Sequence, residues 1–348
     1  MRFSYQLLPE QPVQELLDLI ELLDELGFWA CYSADETYHK DMWSIFSAAA
    51  ARTTRIRLGP EVTHVILKDP TIIAQQTATL DELTGGRAEL VYSTGNFAML
   101  KQYRVELGSK PIARLREAHH VFRTFLAEGS IDFEGDFYSY SGLFTAARPI
   151  QNPFPIKLGG MKGPRSFELA GEIADGLHTA LAYSPQALGF VADAFARGAE
   201  KAGRDWKELD LANNMLGAVS TDPAPAREAA RVLAAFYISS MPPELLARNQ
   251  VDPVKVGDIT VSFEAGAVQQ ALDKTPPELG DALSVAGSPQ EWIRAIEERL
   301  IPAGFNHLLV TFVDPFLIRS WSGIEVEGLP SLEEQLRLFH AEVMSAFA

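Results

Sequence analysis

Short apolar runs alternate with amphipathic stretches along most of the chain, and this alternation predicts strands followed by helices. Residues 13–26 carry leucines and isoleucine three or four positions apart with acids between them, which is the helical period. The apolar run at 308–312 has the length of a strand. The predicted strands are residues 3–8, 28–33, 55–64, 88–93, 156–159, 176–180, 211–219 and 307–313. The predicted helices are residues 13–26, 44–52, 70–83, 112–126, 165–173, 185–202, 225–246, 263–272, 289–300 and 332–346.

This order of elements predicts one closed barrel. Strands that alternate with helices pair in parallel through right-handed crossovers. Eight such units close a barrel, whereas no Gly-x-Gly-x-x-Gly follows a predicted strand, which disfavours a dinucleotide-binding sheet. We therefore predict an α/β fold, a TIM (β/α)8 barrel, as a single domain over residues 1–348. An insertion at about 97–155 follows strand 4 and contains a hairpin at 131–140, and a long helical region separates strands 7 and 8.

Composition narrows the function. The 348 residues hold 30 basic and 46 acidic side chains, a net charge of −16, which argues against nucleic acid and anionic membranes as partners. With one cysteine, Cys31, neither an internal disulfide nor a cysteine zinc site can form. No signal peptide and no apolar run of about 18 residues is visible, so we expect a cytoplasmic protein. Residues 96–166, however, hold 10 basic and 6 acidic residues, a local net of +4 that suits a small anionic ligand.

Polar residues follow the predicted strands at the ends where a barrel carries its active site. Asp35 and Glu36 follow the second strand, where they can exchange protons or bond a heterocycle, or only cap a helix. His64 ends the third strand and can donate a proton or stack on a ring, although a lone histidine is more often structural. The fourth strand ends in a run of small polar residues and a glycine, which either lets a ligand approach the backbone or forms an ordinary turn. The run is Ser93, Thr94, Gly95 and Asn96.

A glycine-rich loop joins the fifth strand to a helix. Its free backbone N–H groups, the helix N-terminus and Lys162 favour a phosphate, and the alternative is a flexible turn. The loop consists of Gly159, Gly160, Met161, Lys162 and Gly163. The seven histidines are scattered and form no His-Glu-x-x-His motif, so we predict no metal site, and a metal-dependent barrel hydrolase is disfavoured.

Four runs in order resemble the luciferase-like monooxygenase superfamily, to which bacterial luciferase belongs. They lie at residues 79–87, 132–138, 152–156 and 168–176, and together they span most of residues 1–315. Asp35-Glu36 and the run at 61–64 are similar to the F420-dependent branch, in particular to methylenetetrahydromethanopterin reductases. The resemblance implies a TIM barrel with an insertion after the fourth strand, a cis peptide between Glu61 and Val62, and a homodimer.

The same resemblance implies coenzyme F420 as the cofactor and hydride transfer between C5 of its deazaflavin ring and a small organic substrate. Asp35, Glu36 and His64 are then the catalytic candidates. The ring would contact Val62, Thr63, His64, Ser93, Thr94, Gly95 and Asn96, and the phosphate would lie on the loop Gly159 to Gly163.

The sequence also departs from that branch. Glu36 stands where related alcohol and sugar-phosphate dehydrogenases have a histidine base, and His64 and Glu61 replace a common asparagine and glycine. The alternative function is an FMN-dependent luciferase-like monooxygenase. A non-catalytic relative is disfavoured because the polar strand ends are intact.

Overall fold

The structure is a computed structural model that describes residues 1–238 and 241–348. Its strands are β1 (Arg2–Leu7), β2 (Ala30–Ser33), β3 (Arg57–Pro60), β4 (Thr63–His64), β5 (Leu90–Ser93), β6 (Ser130–Glu134), β7 (Ser139–Phe144), β8 (Ile156–Gly159), β9 (Gly176–Ala180), β10 (Asp210–Val219), β11 (Val285–Gly287) and β12 (His307–Phe312). Its α-helices are α1 (Val13–Glu25), α2 (Met42–Ala50), α3 (Pro70–Thr84), α4 (Phe97–Gln102), α5 (Pro111–Glu128), α6 (Pro164–Ile173), α7 (Pro185–Lys201), α8 (Pro223–Ile238), α9 (Pro243–Arg248), α10 (Gly257–Glu264), α11 (Val268–Asp273), α12 (Pro277–Leu283), α13 (Pro289–Ala295), α14 (Pro315–Ser322) and α15 (Leu332–Leu338).

Each predicted strand is present, but the third differs from the prediction. Residues 55–64 were expected to form one strand, and they form β3 and β4 instead. Glu61 and Val62 separate the two, and the peptide bond between them is cis, as predicted. The sequence pattern missed β11, which has three residues and is too short to show an alternation.

The contacts within the chain divide it into two compact units. The larger unit comprises residues 4–178 and 194–210, and the smaller unit comprises residues 1–3, 179–193 and 211–348. The prediction of a single domain stays a prediction.

In the larger unit, parallel strands bring several strand ends to one edge. β1 pairs with β2 and β2 with β3, and β5 lies between β4 and β8. An isolated bridge between Leu58 and Ala88 joins β3 to the strand segment before β5. His64 is directly opposite Ser93 in this register. The carboxyl ends of β2, β4, β5 and β8 therefore face the same way.

Helix α3 shows how local sequence fixes the path between two of these strands. Asp69 caps its N-terminus by accepting from the Thr71 N–H, and Pro70 occupies the first turn. Gly85 ends the helix with φ of 68°, a left-handed conformation that glycine adopts without steric cost. These two signals place the helix between His64 and β5.

The segment between β5 and β8 contains α4, α5 and an antiparallel hairpin of β6 and β7. The hairpin is confirmed near the predicted residues, while α4 was not predicted. Tyr138 donates from its hydroxyl to the Val65 carbonyl at 2.7 Å, and the Tyr140 hydroxyl lies 3.0 Å from the Asp69 carboxylate. The hairpin is thus held against the segment that follows β4.

In the smaller unit, β10 pairs in parallel with β11 and with β12. Its core includes Trp292, whose ring packs edge-on against Phe312 and Phe339. The long helical region predicted between strands 7 and 8 is a series of shorter helices, α8 to α12, because prolines at 242, 243, 276 and 277 interrupt it. Positions 239 and 240 of the predicted helix 225–246 lie outside the described residues. Among the described residues, no helix is long and apolar enough to cross a membrane.

Candidate active site

Asp35 is held in place by three hydrogen-bond donors, all on its Oδ2 atom. Lys68 Nζ lies at 2.5 Å, Thr63 Oγ1 at 2.7 Å and Trp43 Nε1 at 3.0 Å. Burial alone would raise the pKa of this carboxyl, but the bonds from Lys68, Thr63 and Trp43 and the charge of Lys68 leave it below its ordinary value. Asp35 therefore stays ionised at neutral pH and serves better as a fixed charge than as a proton donor.

Glu36, the next residue, is in the opposite situation. Burial raises the pKa of its carboxyl, and the negative charge of Asp35 raises it further, against a long contact of 3.5 Å from Asn96 Nδ2. When the pKa values of two adjacent carboxyls shift in opposite directions, the one with the lowered pKa stays charged and the one with the raised pKa can carry a proton. Within this pair, Glu36 is the residue suited to hold and release a proton.

His64 is the third predicted catalytic residue, and it is buried with 6% of its surface exposed. Neither of its ring nitrogens has a hydrogen-bond partner within the described residues. The ring packs on Gly95, where a Cβ atom would lie 2.9 Å from the His64 Cβ, and Gly95 has φ of 113°. Since unpaired buried polar atoms are costly, this side chain is suited to bond a polar ligand in the cavity.

A cavity of about 400 Å³ joins these side chains. Its lining consists of Asp35, Glu36, Thr37, His39, Asp41, Met42, His64, Leu67, Lys68, Met99 and Tyr103. All three predicted catalytic residues are among them. The structure describes all of the predicted cofactor-binding residues. His64 is in the cavity lining, and the others are not.

Val62 and the residues after β5 and β8 lie outside the cavity lining, but Val62 contacts one of its members, Asp35. The Val62 carbonyl accepts from the Asp35 N–H at 3.2 Å. Its side chain fills the space beside Gly159, where a Cβ atom would come within 2.3 Å of Val62 Cγ1. Ser93 accepts from the Gly95 N–H through its hydroxyl, and Asn96 caps α4 through its side chain.

The glycine loop after β8 is anchored at one end and exposed in the middle. The Gly160 N–H donates to the His178 carbonyl at 3.0 Å, and Gly163 precedes α6. Lys162 is exposed, and its Nζ lies 4.2 Å from the centroid of the Phe97 ring in α4. Thr94, Met161 and Gly163 are half-buried. A phosphate on this loop stays a prediction.

A group of charged side chains, which the sequence analysis missed, lies buried beneath the strand ends. We call it the buried ion cluster. Its buried charged or ionisable members are Glu61, Glu89, Lys157, His178 and Asp210, the half-buried Arg57 contacts Glu89, and the neutral Tyr32 hydroxyl contacts Glu89 and Lys157. Lys157 contacts both Glu89, at 2.5 Å, and Asp210. Burial would raise the pKa of Glu89, but Lys157 and Arg57 lower it to about 2. Lys157 is one of the ten basic residues counted in the stretch 96–166. Because it is buried and paired with carboxylates, its charge does not attract anions at the surface.

Lys68 and Trp43 were also missed, and both shape the site through Asp35. Lys68 follows His64 by four residues, and its N–H donates to the His64 carbonyl. Neither residue belongs to a motif. The only sequence feature that could have indicated Lys68 is its position four residues after His64, the histidine at a strand end.

His119 and His120 are adjacent in α5, and their contacts within the chain differ from those of His64. His119 is buried, and its Nδ1 lies 3.1 Å from the Tyr92 hydroxyl. Burial lowers the pKa of His119 to about 3, with Arg123 contributing.

The comparisons with known proteins agree with the predicted barrel. A solved structure, the coenzyme F420-dependent tetrahydromethanopterin reductase of Methanopyrus kandleri, aligns with a TM-score of 0.90 at 26% identity and covers 100% of this chain and 99% of its own. This match confirms the α/β fold of the TIM-barrel class.

Two curated relatives extend the comparison to sequence. The 5,10-methylenetetrahydromethanopterin reductase of Methanolobus tindarius is 29% identical over 86% of this chain and 91% of its own length. The F420-dependent glucose-6-phosphate dehydrogenase of Nakamurella multipartita is 30% identical over 89% of this chain and 90% of its own. The family model described as luciferase-like monooxygenase matches residues 1–307. The chain therefore belongs to the luciferase-like monooxygenase family.

Proposed function

We propose that the protein is an F420-dependent oxidoreductase that transfers hydride between the C5 atom of the deazaflavin and a small organic substrate, in the manner of the methylenetetrahydromethanopterin reductases. The observation that carries the proposal is the cavity in which His64, with both ring nitrogens unpaired among the described residues, lies beside two carboxyls of opposite pKa shift. The F420-dependent relatives support the choice of cofactor.

The residues present fit a flat polar heterocycle. His64 offers two unused ring nitrogens, and Ser33 Oγ at the end of β2 is buried without a described partner. Gly95 keeps the backbone beside His64 free of a side chain that would fill the space. Val62, Thr63, His64 and the run Ser93 to Asn96 would hold the ring, and the loop Gly159 to Gly163 with Lys162 would hold the phosphate. The deazaflavin supplies the hydride-carrying C5 position when it is bound.

The chain's own groups orient the reaction and handle the proton. Asp35, fixed by Lys68, Thr63 and Trp43, keeps a negative charge at a constant position. Glu36 holds its proton to a higher pH than an ordinary glutamate does, so it can protonate a substrate that has gained hydride and accept the proton in the reverse direction. Met42, Leu67 and Met99 line the cavity with apolar surface that limits water.

A titration with F420 and with FMN tests the proposal. We expect F420 fluorescence to be quenched on binding, at concentrations where FMN gives a weaker response or none. Bound F420 should then be oxidised or reduced when methylenetetrahydromethanopterin or its reduced product is added as a probe. Tight FMN binding without any response to F420 would overturn the proposal in favour of an FMN-dependent monooxygenase.

We extend the proposal to a homodimer, which the family resemblance implies. Sedimentation equilibrium of the purified protein tests it, and a monomer mass across the accessible concentration range would contradict it.

A further inference from the structure

His178 lies between two buried carboxylates. Its Nδ1 is 2.9 Å from Glu61 Oε2, and its Nε2 is 3.5 Å from Asp210 Oδ2. An ionised carboxylate accepts hydrogen bonds but cannot donate one, so each ring nitrogen needs a proton to face it. A neutral imidazole would direct one lone pair at a carboxylate oxygen in the protein interior. The arrangement therefore calls for the doubly protonated ring.

The charges of the buried ion cluster also favour a doubly protonated His178 ring. Glu61, Glu89 and Asp210 contribute three negative charges, and Lys157 and Arg57 contribute two positive ones. A protonated His178 makes the cluster neutral. Burial alone would lower the pKa of His178, but Glu61 in particular and Asp210 outweigh burial and raise it above its ordinary value.

Glu61, the partner of His178, is hydrogen-bonded through its backbone to strands next to the active site. The Glu61 N–H donates to the Ser33 carbonyl at 2.7 Å, and Gln6 Nε2 donates to the Glu61 carbonyl at 3.0 Å. The next residue, Val62, accepts from the Asp35 N–H. A continuous series of bonds thus runs from the His178 ring through Glu61 to the backbone of Asp35.

Thr63 adds a second connection from the same segment, because its hydroxyl donates to the Asp35 carboxylate at 2.7 Å. Movement of residues 61–63 would consequently displace both the backbone and the side chain of Asp35. It would also move His64, the next residue along β4.

We propose that His178 is a positioning residue: as an imidazolium between Glu61 and Asp210, it fixes the segment 61–63 and, through it, Asp35 and His64 in the cavity. The role in cofactor binding rests on the proposed F420-dependent function. His178 itself is absent from the cavity lining, so it acts through Glu61.

A double-mutant cycle tests the coupling. We expect His178→Gln and Glu61→Gln each to weaken F420 affinity at least tenfold in fluorescence titrations. The double variant should lose much less than the product of the two single losses, because a neutral glutamine pair can bond without a buried unpaired charge. A folded His178→Gln protein with unchanged affinity, or single losses that multiply, would overturn the proposal.

His119→Gln is the matched control, since His119 is another buried histidine of the larger unit outside the cavity lining. We expect its F420 affinity to stay within about twofold of the unmodified protein. An equal loss in His119→Gln would show that any buried histidine of this unit has the effect, and would contradict a specific role for His178.

A measurement on the unmodified protein covers the case in which the variants fail to fold. Imidazole ¹⁵N chemical shifts at pH 7.5, without cofactor and assigned by comparison with a His178 variant or through its backbone, should show both nitrogens of His178 protonated. A neutral ring would overturn the proposal. A protein that does not bind F420 would refute the proposed function, while the ¹⁵N shifts would still decide the state of His178.

Discussion

The cavity and the buried ion cluster are neighbouring regions of the larger unit that use the same residue types differently. In the cluster, Glu89, Lys157 and Asp210 satisfy one another at close range. In the cavity, Glu36 has one long contact, and the His64 ring has no described partner. Paired charges hold a structure, whereas polar groups with unused bonding capacity are available to a ligand. The contrast predicts that breaking the contacts among Glu89, Lys157 and Asp210 reduces stability, and that changes in the cavity reduce function.

The largest effect should come from breaking the cluster. Lys157→Met leaves Glu89 and Asp210 as buried carboxylates without their shared cation, and removing one partner of a buried ion pair costs about 3–5 kcal/mol. Urea unfolding should show this loss. Lys162→Met is the control, because Lys162 is exposed, and it should change stability by less than about 0.5 kcal/mol. Equal losses in the two variants would show that the loss does not come from the buried contacts of Lys157 with Glu89 and Asp210.

In the cavity, Glu36→Gln should reduce turnover about 10²- to 10⁴-fold, the usual contribution of a general acid or base, while F420 affinity changes little. Turnover can be followed by F420 absorbance with methylenetetrahydromethanopterin as the probe. Glu106→Gln changes an exposed glutamate outside the cavity lining and should retain full activity. Full activity in Glu36→Gln would assign the proton to another group.

The pKa of Glu36 adds a pH test with a definite sign. Because the pKa is raised in the folded protein, a rate that needs protonated Glu36 should fall as pH rises through the raised value. The same shift contributes to the stability of the fold. This contribution is complete at pH values below the ordinary pKa of glutamate, and it is lost as the pH rises through the pKa of the folded protein. The stability of the unmodified protein relative to Glu36→Gln should therefore decline over that interval. A difference that is constant with pH would contradict the assigned shift.

A smaller effect should follow from Gly95→Ala. The substitution combines a positive φ with a Cβ only 2.9 Å from His64, and we expect a loss of about 1–3 kcal/mol in stability together with weaker F420 binding. Gly108→Ala separates the two causes, since Gly108 also has a positive φ but opens onto free space. Loss of affinity in both variants would show that the contact with His64 is irrelevant.

The smallest effect should come from Lys162→Ala, which removes an exposed ammonium from the proposed phosphate loop. We expect F420 affinity to fall a few-fold, more at low salt than at high salt, with unfolding unchanged. Lys101→Ala, in neighbouring α4, is the control. Unchanged affinity in Lys162→Ala would identify the glycine loop as a turn without a binding role.

The sequence predicted the edge on which the site lies because strand–helix order sets the topology, and Asp35, His64 and Ser93 each follow or end a strand. It did not predict Lys68 or Lys157. Hydrophobic periodicity identifies which positions are buried, but not which buried position carries a charge. Lys157 lies within β8 and resembles an outward-facing polar residue. Contacts such as that of Lys157 with Glu89 join residues far apart in the chain, and no local pattern encodes them.

The fit of Val62 beside Gly159 has a consequence for protein engineering. The two positions share one volume, because a methyl group at 159 would overlap the Val62 side chain. A designer who wishes to reshape this wall should therefore exchange the residues as a pair, with alanine at 159 accompanied by a smaller residue at 62. Libraries that vary one position at a time would discard these compatible combinations.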